Sequence, residues 1–180
     1  MSLSLFVSCP RNMEYLLEDE LKQLGLDVTR VAPMGVYGNA DLKTTYEICL
    51  WSRIANRVQL ILFSGEVADK ASFNQLCSQY AWNEIFTVDK TIAIDFYGET
   101  PYINNTMYGA QLVKDGIVDY FKQYGDRPNV DKDSPDIRLH AYIKQQQLTV
   151  SLDLLGYSLH QRGYRLAAAG APLKENIAAA

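Results

Sequence analysis

Apolar residues along the first third of the chain alternate between two periods, and the changes of period mark its elements. Leu5 to Ser8 reads as a short strand. Met13, Leu16, Leu17, Leu21 and Leu24 then recur at the spacing of one helix face, with Asn12 placed as cap and Gly25 as stop. Val28 to Ala32 and Gly35 to Tyr37 read as strands around a Pro33-Met34-Gly35 turn. Asp41 is positioned to cap a second helix carrying Leu42, Tyr46, Cys49, Leu50 and Ile54 on one side. From Arg57 to Phe63 almost every position is apolar, which predicts a strand covered on both faces.

This order, strand-helix-strand-strand-helix-strand, is the split βαβ arrangement of a ferredoxin-like domain, assigned to residues 1–65. A second α/β unit is expected over residues 66–158, with a start nearer residue 43 as the alternative boundary. It opens with a helix near Lys70 to Tyr80 that holds Phe73, Leu76, Cys77 and Tyr80, with Trp82, Ile85 and Phe86 placed to pack under it. Thr91 to Tyr97 alternates Ile92, Ile94 and Phe96 with Thr91, Ala93 and Asp95, as a half-buried strand does. The longest helix is predicted over 106–124, its stripe of Ala110, Val113, Ile117, Tyr120, Phe121 and Tyr124 facing a core and Gly125 ending it. A polar segment, GDRPNVDKDSPD, leads into two alternating runs, Ile137 to Lys144 and Leu148 to Leu154. A turn of three glutamines makes them a hairpin. The fold class is therefore α+β or α/β in two units. Residues 159–180 read as a basic, Gly-containing connector and a helix start with no stop signal, the entry to a further domain.

Composition narrows the class without deciding it. Across 180 residues, 48% hydrophobic and 21% charged content describe an ordinary globular chain. No apolar run approaches the ~20 residues of a bilayer span, and the N-terminus lacks the basic and apolar regions of a signal peptide, so a cytoplasmic location is expected. Cys9, Cys49 and Cys77 form no CxxC, and His140 and His160 have no zinc-ligand spacing, so free thiols and no metal are expected. A net charge of −4 argues against a polyanion partner when taken alone. The average hides a gradient: residues 154–180 carry Arg162, Arg165 and Lys174 against Glu175 only.

Catalytic patterns are missing: there is no GxGxxG, Walker loop, GxSxG or HExxH. His140 is expected on the polar face of its strand, at the surface and without a carboxylate partner. Asp131, Asp133 and Asp136 lack the glycine and terminal glutamate of an EF-hand and read as acidic turn residues.

Three segments together, FVSCPRNMEYLLEDELKQLG, RPNVDKDSPDIRLHAYI and LDLLGYSLHQRGYR running into APLKENIAAA, resemble a family. It is that of the bacterial guanine-N2 methyltransferases of large-subunit ribosomal RNA. Those enzymes begin with a ferredoxin-like domain and a THUMP RNA-binding domain, ahead of an S-adenosylmethionine-dependent methyltransferase domain. A second domain, making 7-methylguanosine, follows in some of them. The resemblance covers essentially the whole chain. It departs at Asn12-Met13, where the family has Gly-Leu, and at Leu155, where it has a small residue. It implies that ribosomal RNA is the partner, that S-adenosylmethionine is held by the absent domain, and that this part alone is inactive. It also implies that 159–180 connects to, and begins, the methyltransferase domain.

Phosphate contacts need Lys, Arg or backbone N–H groups. On the long helix Lys114 and Lys122 lie off the apolar stripe, and Asn104, Asn105 and Thr106 sit at its start. The alternative is that the asparagines only cap and the lysines only solvate beside Asp115 and Asp119. Arg127, Asn129 and Arg138 are further candidates, against which Asp126, Asp131, Asp133 and Asp136 could pair in a structural loop. His160, Arg162, Tyr164 and Arg165 combine two guanidiniums with a ring able to stack on a base, or else pin the module to the next domain. A ferredoxin-like protein-interaction or small-ligand module, and a THUMP module serving a thiouridine synthase, are the competing readings.

Overall fold

The computed structural model describes residues 2–162 and 173–179. These form two compact units, one of residues 2–60 with 157–162 and 173–179, and one of residues 61–156.

The first unit follows the expected order. Strands β1 (Leu3–Ser8), β2 (Asp27–Ala32), β3 (Gly35–Ala40) and β4 (Arg57–Glu66) alternate with helices α1 (Glu14–Gln23) and α2 (Leu42–Trp51) as β1-α1-β2-β3-α2-β4. All its pairings are antiparallel, in the spatial order β2-β3-β1-β4. Leu5, Val7, Leu17, Leu21, Val36, Ile48 and Val58 are fully buried and make its core. Asp41 caps α2 by accepting the Thr44 N–H at 2.7 Å, as its position predicted. Gly25 ends α1 with φ +95°, a conformation that only glycine adopts without cost.

Two expectations fail in this unit. Asn12 does not cap α1: it takes a left-handed turn conformation, φ 70°, and Met13 occupies the cap position without a side-chain bond. α2 ends at Trp51, so Ile54 lies beyond it and is buried, while Leu42, Tyr46, Leu50 and Trp51 are exposed and Thr45 and Ile48 are buried. Thr45 can be buried because its hydroxyl donates to the Asp41 carbonyl at 2.8 Å.

In the second unit, α3 (Lys70–Ser78) and α4 (Thr106–Lys122) join β5 (Ile92–Tyr97), β6 (Ile137–Lys144), β7 (Gln147–Asp153) and the end of β4. The strands lie in the order β4-β7-β6-β5. β5 and β6 are parallel across the α4 crossover, and β6 and β7 form the expected hairpin. Its turn is Gln145-Gln146, both left-handed at φ 49° and 67°, and Gln147 already belongs to β7. Trp82, Phe73, Phe86, Phe121, Ile117 and Val113 pack with Leu139, Ile143 and Leu148 in one core. The Trp82 indole N–H donates to the Cys77 carbonyl at 2.7 Å, so its polar handle is satisfied in that core.

His140 departs from its expected surface place and is 4% exposed. β6 lies between β5 and β7, so both of its neighbours contribute side chains to the face that His140 occupies. Its Nε2 lies 3.3 Å from Asp153 Oδ2 and its Nδ1 3.7 Å from Asp95 Oδ2, with the Tyr97 ring stacked alongside. Burial pushes the thiols of Cys9 and Cys77 up to about 12, while Cys49 is half-buried, and none of the three is in a disulfide.

Candidate nucleic-acid interface

β5 is the edge strand of the second unit. Ile137 N–H donates to the Thr91 carbonyl at 3.0 Å, which fixes the ladder: residues 91, 93, 95 and 97 turn their backbone groups toward β6. Ile92, Ile94 and Phe96 turn theirs to the open side. There Ile92 is sealed by the following loop, its N–H donating to the Asn129 carbonyl at 2.9 Å and its carbonyl accepting the Asp131 N–H at 3.1 Å. The seal stops at Ile92.

Alongside this edge runs a groove of about 350 Å³, walled by β5, the first turns of α4 and the 130–132 loop. Ile94, Ala110, Met107 and Val130 give it apolar lining, and Lys114, Lys132, Arg138 and the carboxylate of Asp95 line it as well. Arg138 donates to Asp95 Oδ2 at 3.1 Å and to the Lys132 carbonyl at 3.3 Å, which holds its guanidinium across the end of the groove. Lys114 lies 2.7 Å from Asp115, and Lys132 is exposed.

The fold thus brings Lys114 and Arg138 to one groove and disperses the other candidates. Asn105 caps α4, accepting the Tyr108 N–H at 2.7 Å. Lys122 pairs with Asp119, which also accepts from Asn74 at 2.9 Å, at the far end of the helix. Arg127 is exposed, and Asn129 contributes its carbonyl to the β5 seal. The neighbouring aspartates do not pair with Arg138. Asp131 Oδ1 accepts the Asp133 and Ser134 N–H groups at 3.0 and 3.1 Å, and Asp136 is bonded to Thr91. The partner of Arg138, Asp95, was not legible because it is distant in sequence and meets Arg138 only through parallel pairing. The sequence pattern does not mark Lys132, Met107 or Gln111 either. Nothing local distinguishes them until α4 is laid along β5.

The last group lies in the first unit. Arg162 donates to the carbonyls of Leu50, Ser52 and Cys49 at 2.6, 2.7 and 3.2 Å, where α2 ends. His160 Nδ1 is 2.6 Å from Ser158 Oγ, and burial, then the charge of Lys174, holds the imidazole below its usual range. The last helix, α5 (Glu175–Ala178), buries Asn176, which donates to Asn56 Oδ1 at 2.6 Å and the Ile54 carbonyl at 3.3 Å. Tyr164 and Arg165 lie outside the described residues. Among the described residues no cluster of His, Cys, Asp and Glu could hold a metal, and no helix is long and apolar enough to cross a membrane.

Comparison with known proteins gives these units relatives. The profile of the RlmL ferredoxin-like domain matches residues 4–59, and that of the THUMP domain residues 67–153. The ribosomal RNA large subunit methyltransferase K/L of Legionella pneumophila (strain Corby) is 61% identical over 181 residues, covering 100% of this chain and 26% of that protein. The chain therefore spans about a quarter of the length of the curated relatives it matches. A possible methylase from Clostridium difficile 630 has the same fold, with TM-score 0.85 and 23% identity over 99% of this chain and 48% of its own. A putative methyltransferase complexed with SAH gives TM-score 0.81 and 23% identity over 99% and 47% of the two chains.

Proposed function

We propose that the chain, whose residues 4–59 match the RlmL ferredoxin-like domain and residues 67–153 the THUMP domain, is the RNA-holding part of a large-subunit ribosomal RNA methyltransferase. The observation that carries this reading is the whole-chain similarity to the methyltransferase K/L of Legionella pneumophila. The groove beside β5 supports it, with its apolar lining and basic side chains. In the full-length protein the remaining part would transfer a methyl group from S-adenosylmethionine to the exocyclic amine of a guanine. The described residues do not fit that cofactor. β5 leads to α4 through residues 98–105 with Gly98 as the one glycine, so no glycine-rich turn lets the backbone close on an adenosyl group, and Asn105 already occupies an N–H group at the start of α4.

What this chain does is bind and orient. Lys114, Lys132 and Arg138 would take phosphates, and the packing of α4 against β5 would hold the groove that presents the bound RNA to the attached enzyme. Affinity of this part alone should be modest and salt-sensitive, because it rests on a few cations in a chain of net charge −4. A fluorescence-anisotropy titration against large-subunit RNA fragments from low to high ionic strength tests the reading. Binding that weakens steadily with salt is expected. No binding at the lowest ionic strength would overturn it.

A further inference from the structure

We infer that the groove beside β5 receives a single unpaired nucleobase of the RNA and reads its polar edge with the backbone of Ile94. The inference rests on the RNA-binding reading above and specifies the form of RNA that this site takes.

Of Ile94 and Phe96, whose backbone groups both lie beyond the seal, Ile94 is the one that lines the groove. Its N–H and carbonyl turn to the same open side as those of Ile92, two residues earlier. The groups of Ile92 are taken up by Asn129 and Asp131, and those of Ile94 have no protein partner among the described residues. A donor and an acceptor therefore stand about one strand residue apart at the wall of a groove, which suits the donor–acceptor edge of a base. The side chains around them are not those of a solvated edge. Met107 is 74% exposed and Val130 49% exposed, and with Ala110 and Ile94 they offer an apolar bed on which a flat ring can lie. At about 350 Å³ the groove falls near the lower end of the ~300–1,000 Å³ range of small-ligand sites.

The rim decides between nucleic acid and peptide. A peptide adding a strand to this edge needs a run of free backbone groups, and the loop at 129–131 has already closed the start of β5. Lys114 and Lys132 flank the bed where the two phosphates of a looped-out nucleotide would pass. Asp95 holds Arg138 through one oxygen, Oδ2, which keeps the guanidinium at the groove rather than free in solvent. Duplex RNA cannot use the bed, because its bases are stacked and paired and its deep groove does not admit side chains.

The test compares two RNAs of equal length and charge, a hairpin with an unpaired loop carrying 2-aminopurine and a blunt duplex, binding to this 180-residue chain. The loop RNA should bind more tightly, and 2-aminopurine at one loop position should change its fluorescence on binding. Ala110→Leu fills the bed, and Met107→Glu, at an exposed position in the first turn of α4, tests the same site without touching the core. Each should weaken loop binding about tenfold and leave duplex binding within about twofold. Equal binding of the two RNAs by the wild type, or loop binding untouched by Met107→Glu in a folded protein, would overturn the base pocket while leaving RNA binding standing. Failure to bind either RNA would overturn both.

Discussion

Glu20 and Arg162 hold opposite polarities of a single turn. Glu20, on α1, accepts the N–H of Arg53 at 2.9 Å, the N–H of Ile54 at 3.3 Å and the Ser52 hydroxyl at 2.6 Å. Arg162, 110 residues farther along the chain than Ser52, donates to the Ser52 carbonyl and to those of Leu50 and Cys49. The final carbonyls of a helix have no partners within it, and a guanidinium reaching three of them satisfies the end of α2 from outside.

Arg162 is therefore expected to act as an anchor of the connector rather than as a phosphate ligand. Arg162→Ala should lower the urea-unfolding free energy by about 2 kcal/mol, allowing for partial exposure. Arg162→Lys should recover less than half of this, because an ammonium cannot reproduce the planar fork. RNA affinity of the folded variant should stay within about twofold. A tenfold loss of affinity at unchanged stability would show that the guanidinium faces RNA instead.

Gly116 shows a different kind of close fit. A Cβ there would stand 2.4 Å from the Cys77 Cβ, and one at Gly109 would meet the Phe96 ring at 2.4 Å. The two glycines, seven residues apart, let α4 lie against α3 and β5 closer than any side chain permits. Gly116→Ala should cost about 1–3 kcal/mol in unfolding free energy despite the better helix propensity of alanine. A stabilised variant would show that α3 can shift without cost.

How much could be read beforehand follows from what each signal encodes. Cap chemistry is local, so Asp41, Gly25 and the strand-helix order of the first unit were legible. Helical period gives a stripe but not its partner. In α4 the stripe through Val113, Ile117 and Phe121 is buried as expected, whereas in α2 the stripe Leu42-Tyr46-Leu50 is exposed and Thr45 and Ile48 face inward. Period-2 alternation assigns two faces but cannot say that both are covered, and so His140 was misplaced. The groove needed still more: parallel pairing of β5 with β6 sets Asp95 beside Arg138, and only the open edge exposes the backbone of Ile94. Glycines at 109 and 116 were the one available hint that α4 lies close to its neighbours, since nothing else explains two such residues within its buried face.

Acid should weaken the junction between β5 and β6 through one carboxylate. Asp136 Oδ2 accepts the Thr91 N–H at 2.9 Å and its hydroxyl at 3.0 Å, and these bonds hold the carboxyl below its ordinary range, the backbone bond foremost. Asp69 and Asp119 are lowered in the same direction, by bonds from Ser72 and from Lys122. A carboxylate depressed in the folded state contributes its stability above the unfolded value, about 3.9, and loses it as pH falls through the folded value. His160 acts earlier: held below its usual range in the folded chain, it leaves stability undiminished above about pH 6.5 and reduces it as the unfolded chain takes up protons below that. Urea midpoints should therefore show a shallow decline below pH 6.5 and a steeper one below about pH 4. Asp136→Asn should lower the midpoint at pH 7 and flatten the lower limb while leaving the upper decline in place. An acid limb of unchanged slope in that variant would mean that the Thr91 bonds add nothing to stability.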